Sequence, residues 1–258
     1  MSSSESAEAA AKAGVEIREL REIGDLWEVH RLFDRIWHPD PGNPPVTVEL
    51  MIGFAHTGNY VAGAFDGSAL VGASVGFLAA GRTLHSHVTG AVTGRGIGYA
   101  LKLHQRDWCR ERELERITWT FDPLVRRNAR FNLAKLGARP EAYLVDFYGA
   151  MADAINAGDA SDRLLAVWPV APTGAAGKTG ETAPALLAAE GDRPVVRGAL
   201  GEVVLVGTPR DIEELRRRDP DAAKEWRTAM RTVLGGLMDA GGRVTGFTER
   251  GEYAVEVN

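Results

Sequence analysis

A single cysteine, Cys109, in 258 residues excludes an internal disulfide and fits a reducing compartment. No run approaches the ~20 apolar residues that span a bilayer. The start, MSSSESAEAAAKAG, lacks a basic patch followed by an apolar core, so no secretory signal is expected. Basic charge is not in excess either. A formal net charge of −5 gives no global attraction to nucleic acid or an anionic membrane, so any anion must be held by a local site. Two phosphate-binding motifs are missing as well. No Gly-Lys-Ser/Thr closes the glycine-rich stretch near residue 94, and Tyr99 stands where G-x-G-x-x-G needs its last glycine. The expectation is a cytoplasmic protein with no membrane and no nucleic-acid partner.

What is present describes a globular chain with a core: 45% apolar and 25% charged residues. The length allows one large domain, or a medium one with a smaller companion. Residues 1–14 are small and polar and are expected to be disordered. Residues 15–20 alternate as a strand, and Leu26, Val29, Phe33, Ile36 and Trp37 form one helical stripe over 24–37. Four prolines make 38–45 a loop, and Thr47 caps a helix to about His56. Asp66-Gly67 between apolar runs signals a hairpin. A strand over 84–92 leads through Gly94, Gly96 and Gly98 into a helix from about Ile97 to Glu113. A strand over 115–121, a helix over 124–137 capped by Gly137, and a strand over 142–149 follow. The order β-α-α-β-β-β-α-β-α-β predicts an α/β fold, with a mixed, mostly antiparallel twisted sheet flanked by helices. That domain is expected over 15–168. Residues 169–200 read as a linker or mobile excursion, and 201–258 as a smaller C-terminal α/β lobe.

The glycine stretch bears the chemistry. Glycines let a backbone turn sharply and let a ligand come close to the amides. The turn opens a helix, whose first N–H groups lack internal acceptors and whose dipole favours an anion. Arg95 adds a local positive charge. A diphosphate fits across the amides of Arg95, Gly96, Ile97, Gly98 and Tyr99; a ligand-free strand-to-helix turn is the plainer alternative.

The run HSHVTGAVTGRGIGYALKLHQRDW, followed by ITWTFDPLVRRNARFNLAKLGA and YLVDFYG, resembles the GNAT family of acyl-CoA-dependent N-acyltransferases. It is most similar to a branch of larger two-part members, some associated with N-acylamino-acid racemases. The resemblance implies a GNAT-like fold over about 15–168 and acetyl-CoA or succinyl-CoA as co-substrate, with no metal. It implies a small-molecule amine acceptor and direct transfer in a ternary complex. It places the diphosphate on Arg95 to Tyr99 and the pantetheine arm along Val88, Ala91 and Val92, between strands 84–92 and 115–121. Asn128, Asn132 and Lys135 would meet the same ligand from the next helix. The chain departs from the family at Thr93, where Gln or Arg is usual, in a shorter segment between His87 and the glycines, and at Leu133, where many members carry a tyrosine acid. A homodimer is compatible with this reading. Loss of CoA binding would leave a non-catalytic binding or regulatory protein, and a carrier-protein-bound acyl donor is a further alternative.

Acyl transfer to an amine needs a base, a polarised carbonyl and a home for the departing thiolate. His85 and His87 share a strand face, so either is a candidate base or only a polar residue of that face. Asp122, at the end of strand 115–121, is a candidate amine ligand or base, or a turn-former before Pro123. Tyr148 is a candidate acid, with Tyr143 the other phenol near in sequence. Asn128 and Asn132 stand i, i+4 on one helical face. A succinyl donor would need a cation, for which Arg82, Arg126, Arg127 and Arg130 are available.

Overall fold

Glu5–Ala13 form a helix, α1, where the composition led us to expect disorder. The reason is local. The Ser4 hydroxyl caps the Ala7 N–H, Glu5 and Glu8 occupy the first turn and Lys12 the last, and Gly14 closes the end at φ 65°. The alanines between them are poor core formers but the best helix formers. The computed structural model describes residues 4–39, 42–149, 160–171, 182–198 and 201–257. They divide into two units, Met1–Trp119 with Pro169–Pro172, and Thr120–Trp168 with Thr173–Asn258. The larger sheet has seven strands and is mostly antiparallel; a second, smaller sheet has five.

In the first unit, β1 (Glu16–Glu19), β2 (Tyr60–Asp66), β3 (Ala69–Ala79) and β4 (Thr83–Ala91) pair as antiparallel neighbours in chain order. The hairpin forms at Asp66-Gly67 as expected, with Gly67 at φ 59°. Helices α2 (Ile23–Trp37) and α3 (Val48–His56) precede β2, and the Thr47 hydroxyl does cap α3 by accepting the Leu50 N–H. Leu26, Val29 and Phe33 of α2 and Met51 of α3 are buried in one cluster with Val61, Ala73 and Val75 of the sheet. Helix α4 (Ile97–Glu111) then carries the chain over to β5 (Arg116–Phe121), which pairs parallel to β4. Its Ile97 and Leu101 pack with Ala13 of α1 and Ala64 of β2.

In the second unit, α5 (Arg126–Ala129) runs straight into a π-helical stretch, Arg130–Lys135, so the predicted single helix changes pitch midway. β6 (Arg139–Leu144) and β7 (Arg163–Pro169) pair antiparallel, and β6 ends where 142–149 was expected to remain extended. The five-stranded sheet has the order β11-β12-β10-β8-β9. β8 (Ala185–Glu190) and β9 (Arg193–Val196) fall inside the predicted linker, so that part is sheet; 172–181 lies outside the described residues. β10 (Val203–Gly207), β11 (Arg243–Phe247) and β12 (Glu252–Glu256) complete that sheet. Helices α6 (Ile212–Arg218), α7 (Pro220–Met230) and α8 (Gly236–Asp239) intervene, with a π turn at Arg231–Gly235 before α8.

Candidate functional site

β4 and β5 hold together for only three residue pairs: Thr83 with Arg116, Leu84 with Ile117 and His85 with Thr118. β4 then continues to Ala91 without that neighbour. Backbone groups alternate in direction along a strand. Every second residue of β4 beyond His85 therefore turns its N–H and C=O toward the place a paired β5 would occupy. The register of β4 against β3 also slips here, from Val75–Val88 to Gly76–Ser86, which leaves His87 as the extra residue of a bulge. Glycine is required opposite: a Cβ on Gly76 would stand 2.9 Å from the His85 carbonyl oxygen.

The open edge of β4 ends at the glycine turn. Gly94 and Gly96 take φ of 92° and 78°, in the region that favours glycine, and Gly96 caps α4 with no side chain. The N–H groups of Tyr99 and Ala100 already reach the Gly96 carbonyl. Those of Arg95, Gly96, Ile97 and Gly98 have no backbone acceptor among the described residues. A Cβ placed on Gly94, Gly96 or Gly98 would meet nothing within 4 Å, so the hollow before the helix is open. Four unused amides at an open helix N-terminus fit a diphosphate.

The Arg95 side chain has another task. It bonds Asp66 at 2.6 Å and donates to the Ala13 and Gly14 carbonyls at 3.0 Å, so it fastens the end of α1 to the turn. Tyr99, half-buried, donates to Glu5 of the same helix at 3.4 Å. Val88 and Ala91 turn their side chains into the two hydrophobic clusters, leaving backbone to face a ligand, while Val92 is exposed.

His85 is half-buried with Nδ1 3.1 Å from the Thr118 hydroxyl, across the last rung of the ladder. Burial, then His87 and Lys102, push its pKa below 6.5, so it is a neutral imidazole at pH 7. His87, on the bulge, donates from Nε2 to the Pro45 carbonyl at 2.9 Å, which leaves Nδ1 as an acceptor. Phe77 packs against both rings.

One residue here was not singled out from the sequence. Lys102 of α4 is buried; its Nζ donates to the Ser86 hydroxyl at 2.8 Å and to Gln105 at 3.4 Å, and lies 4.0 Å from the centre of the Trp119 ring. Gln105 in turn donates to Ser74, which shares a 2.7 Å hydrogen bond with Thr89. Burial lowers the Lys102 pKa to about 7. The available signal was the spacing of Lys102, Gln105 and Cys109, which repeats one helical face among buried Leu101 and Trp108.

Apart from Arg82, the remaining candidates lie in the second unit. Asp122 accepts from Arg216 at 2.7 Å, from both terminal nitrogens of Arg227 at 2.9 Å, and from the Leu124 N–H. Burial alone would raise its pKa; the two guanidinium groups reverse this and hold it at about 2. Such a carboxylate takes up no proton at neutral pH. Asn128 is exposed and Asn132 buried, so they do not share a face: the π-helical pitch from Arg130 onward breaks the four-residue spacing. Lys135 is exposed. Tyr148 is partly exposed with its hydroxyl 2.9 Å from Thr120, whereas Tyr143 is tied to buried Asp162 at 2.8 Å. Burial and then Asp162 drive the Tyr143 phenol far above its ordinary pKa, which makes it a poor acid. Arg126, Arg127 and Arg130 bond Thr208, Glu213 and Glu249. In the first unit Arg82 bonds Glu115 and the Glu113 carbonyl. Among the described residues no three His, Cys, Asp or Glu side chains come together as a metal site, and no helix is long and apolar enough to cross a membrane.

No protein-family model and no curated protein matches the sequence. Solved structures do match. The ribosomal-protein-S18-alanine N-acetyltransferase from Escherichia coli aligns over 62% of this chain and 96% of its own, at 12% identity and a TM-score of 0.50. A GNAT-family protein from Desulfovibrio desulfuricans aligns over 61% and 99%, at 18% identity and a TM-score of 0.50. A third, from Staphylococcus epidermidis, aligns over 61% and 99%, at 15% identity and a TM-score of 0.51. At these identities the likeness shows the fold, and that fold is the GNAT fold.

Proposed function

We propose that the protein moves an acyl group from an acyl-CoA thioester directly to the amino group of an amino acid or related small amine. One observation carries this reading: a strand edge, opened where β4 leaves β5 and unpaired among the described residues, runs to a glycine turn with four amides that those residues leave unused. A long thin ligand with a diphosphate at one end matches that shape and chemistry. The fold supports it, since one structure with the same fold is named as an N-acetyltransferase.

The amides of Arg95 to Gly98 would hold the diphosphate, and the free edge of β4 would hydrogen-bond the amide-bearing arm. The bound thioester supplies an electrophilic carbonyl carbon. The bulge at His87 turns a backbone N–H out of register, suited to polarising that carbonyl. His85, neutral at pH 7 and on the last rung, is the favoured base for the amine proton; His87 can accept at Nδ1. Asp122 is assigned to holding the second unit together, as its proton affinity is too low for a base. Arg82, Arg126, Arg127 and Arg130 are all engaged by other groups, which favours acetyl over succinyl as the acyl group.

Calorimetric titration with acetyl-CoA and succinyl-CoA tests the first half. Mass spectrometry of products from an amine panel tests the second. Micromolar binding and an N-acyl product are expected. Absence of heat and of any thermal shift with both donors would overturn the reading in favour of a non-catalytic protein. Turnover only with an acyl carrier protein would reassign the donor.

A further inference from the structure

Lys102 is a buried amine that the scheme above does not use. It stands at one particular level of the fold. His85 and Thr118 form the last rung between β4 and β5; Ser86 and Trp119 come next and are not paired. The Lys102 Nζ fills that level, bonded to Ser86 of β4 and resting on the Trp119 ring of β5. The stretch of β4 from Ala91 back to Ser86 spans ~17 Å at the usual rise of a strand, comparable with an extended pantetheine arm. A diphosphate held at the glycine turn would thus bring the thioester sulfur to Ser86.

The groups facing Lys102 leave its charge uncompensated. Among the described residues its polar partners are the neutral Ser86 hydroxyl and the Gln105 carbonyl. Cys109, on the same helix, keeps its proton because burial raises its pKa to about 12. His85, from β4, is neutral. A buried ammonium with no anion beside it is expensive, and an anion arriving at the sulfur position would relieve it.

We infer that Lys102 stabilises and protonates the departing thiolate. The inference rests on the acyl-transfer reading. In the step, the neutral amine nitrogen bonds to the thioester carbon. The C–S bond then breaks with its electron pair going to sulfur, and a proton passes from the Lys102 Nζ to that sulfur. The proton lost by the new amide nitrogen goes to His85, and Lys102 regains one from solvent. A pKa near 7 suits an acid that must also be reloaded at neutral pH.

The test compares coenzyme A with its analogue bearing hydrogen in place of the thiol. Wild-type protein should bind coenzyme A about tenfold more tightly than the analogue, as hydrogen bonds to charged groups allow. In Lys102→Met this difference should vanish, and kcat should fall about 100-fold with KM for acyl-CoA little changed. Lys102→Arg should keep the tighter binding and lose the proton transfer. A variant that retains kcat within a few-fold overturns the inference, as does one that weakens both ligands equally. So does a wild type that binds both ligands alike, a result that needs no variant. Wild type binding neither ligand would instead remove the acyl-CoA site itself.

Discussion

Asp122 of the second unit and Lys102 of the first are both almost wholly removed from solvent, at 7% and 5% exposure. Their surroundings differ. Asp122 meets two guanidinium groups and a backbone N–H, and its pKa falls to about 2. Lys102 meets a hydroxyl, an amide and an indole face, and its pKa falls to about 7. The first is locked in its charged form across the physiological range. The second is poised between its forms. A buried charge beside opposite charges works as structure, while one without them is held at a cost and is available for chemistry.

Removing the paired charge gives the largest expected effect. Asp122→Asn keeps the shape but leaves Arg216 and Arg227 without their carboxylate, and should lose about 3–5 kcal/mol in denaturant melts. The pH dependence has a definite sign. The folded pKa lies below the ordinary 3.8, so this contribution is present above pH ~4 and is lost as pH falls toward 2, by ~2 kcal/mol. An Asp122→Asn protein as stable as wild type would dissolve the contrast.

Removing the unpaired charge should do the opposite. Lys102→Met keeps the apolar stem and should gain about 2 kcal/mol at pH 7. A folded pKa of about 7 against 10.5 unfolded sets a ceiling of ~5 kcal/mol, which lost hydrogen bonds to Ser86 and Gln105 reduce. The unfolded chain binds the extra proton between these values, so wild-type stability rises with pH from about 7 to 10.5 and the advantage of Lys102→Met shrinks over that range. Paired thermal melts at pH 7 and 10 check it. A variant that is less stable at both would make Lys102 a structural residue.

The same contrast explains how much could be read in advance. Features set by near neighbours in the chain were legible: the Thr47 cap, the Asp66-Gly67 hairpin, and the glycine turn into α4 with its free amides. The mixed, mostly antiparallel character of the larger sheet followed from them, whereas the strand β7 was not expected. Asp122 looked like a site residue because its partners, Arg216 and Arg227, lie 94 and 105 residues away. Lys102 was not singled out, since a lysine in a helix usually lies on the surface. Arg95 looked like an anion ligand until α1 supplied two carbonyls for it, and α1 itself was hidden by a composition shared by helices and loose chains. The π-helical stretch that separates Asn128 from Asn132 has no pattern of its own in the sequence.

The clasp of α1 on the glycine turn can be broken from either side. Arg95→Ala removes the bonds to Ala13, Gly14 and Asp66 and should cost about 1–2 kcal/mol of stability. Deleting residues 1–14 removes the same carbonyls and uncovers Ile97 and Leu101. If the clasp orders the amides of Arg95 to Gly98, both changes weaken acyl-CoA binding by a similar factor, with kcat on bound donor preserved. Isothermal titration of the two variants decides. Unequal losses, or normal binding in both, would leave α1 as packing alone.

Gly98 offers the smallest and sharpest comparison, because stability and binding should move in opposite directions. Its backbone is not in the positive-φ region, and a Cβ there would meet nothing within 4 Å. Near the start of a helix, alanine is favoured over glycine by up to ~1 kcal/mol. Gly98→Ala should therefore melt slightly higher than wild type. The added methyl would project into open space beside the four unused amides, where a diphosphate must come within hydrogen-bonding distance. Acyl-CoA affinity should fall while the fold gains. Gly96→Ala separates this from simple strain, since φ of 78° makes alanine there lose stability as well. A Gly98→Ala protein that gains stability and binds acyl-CoA as wild type does would show that the hollow is not where the diphosphate sits.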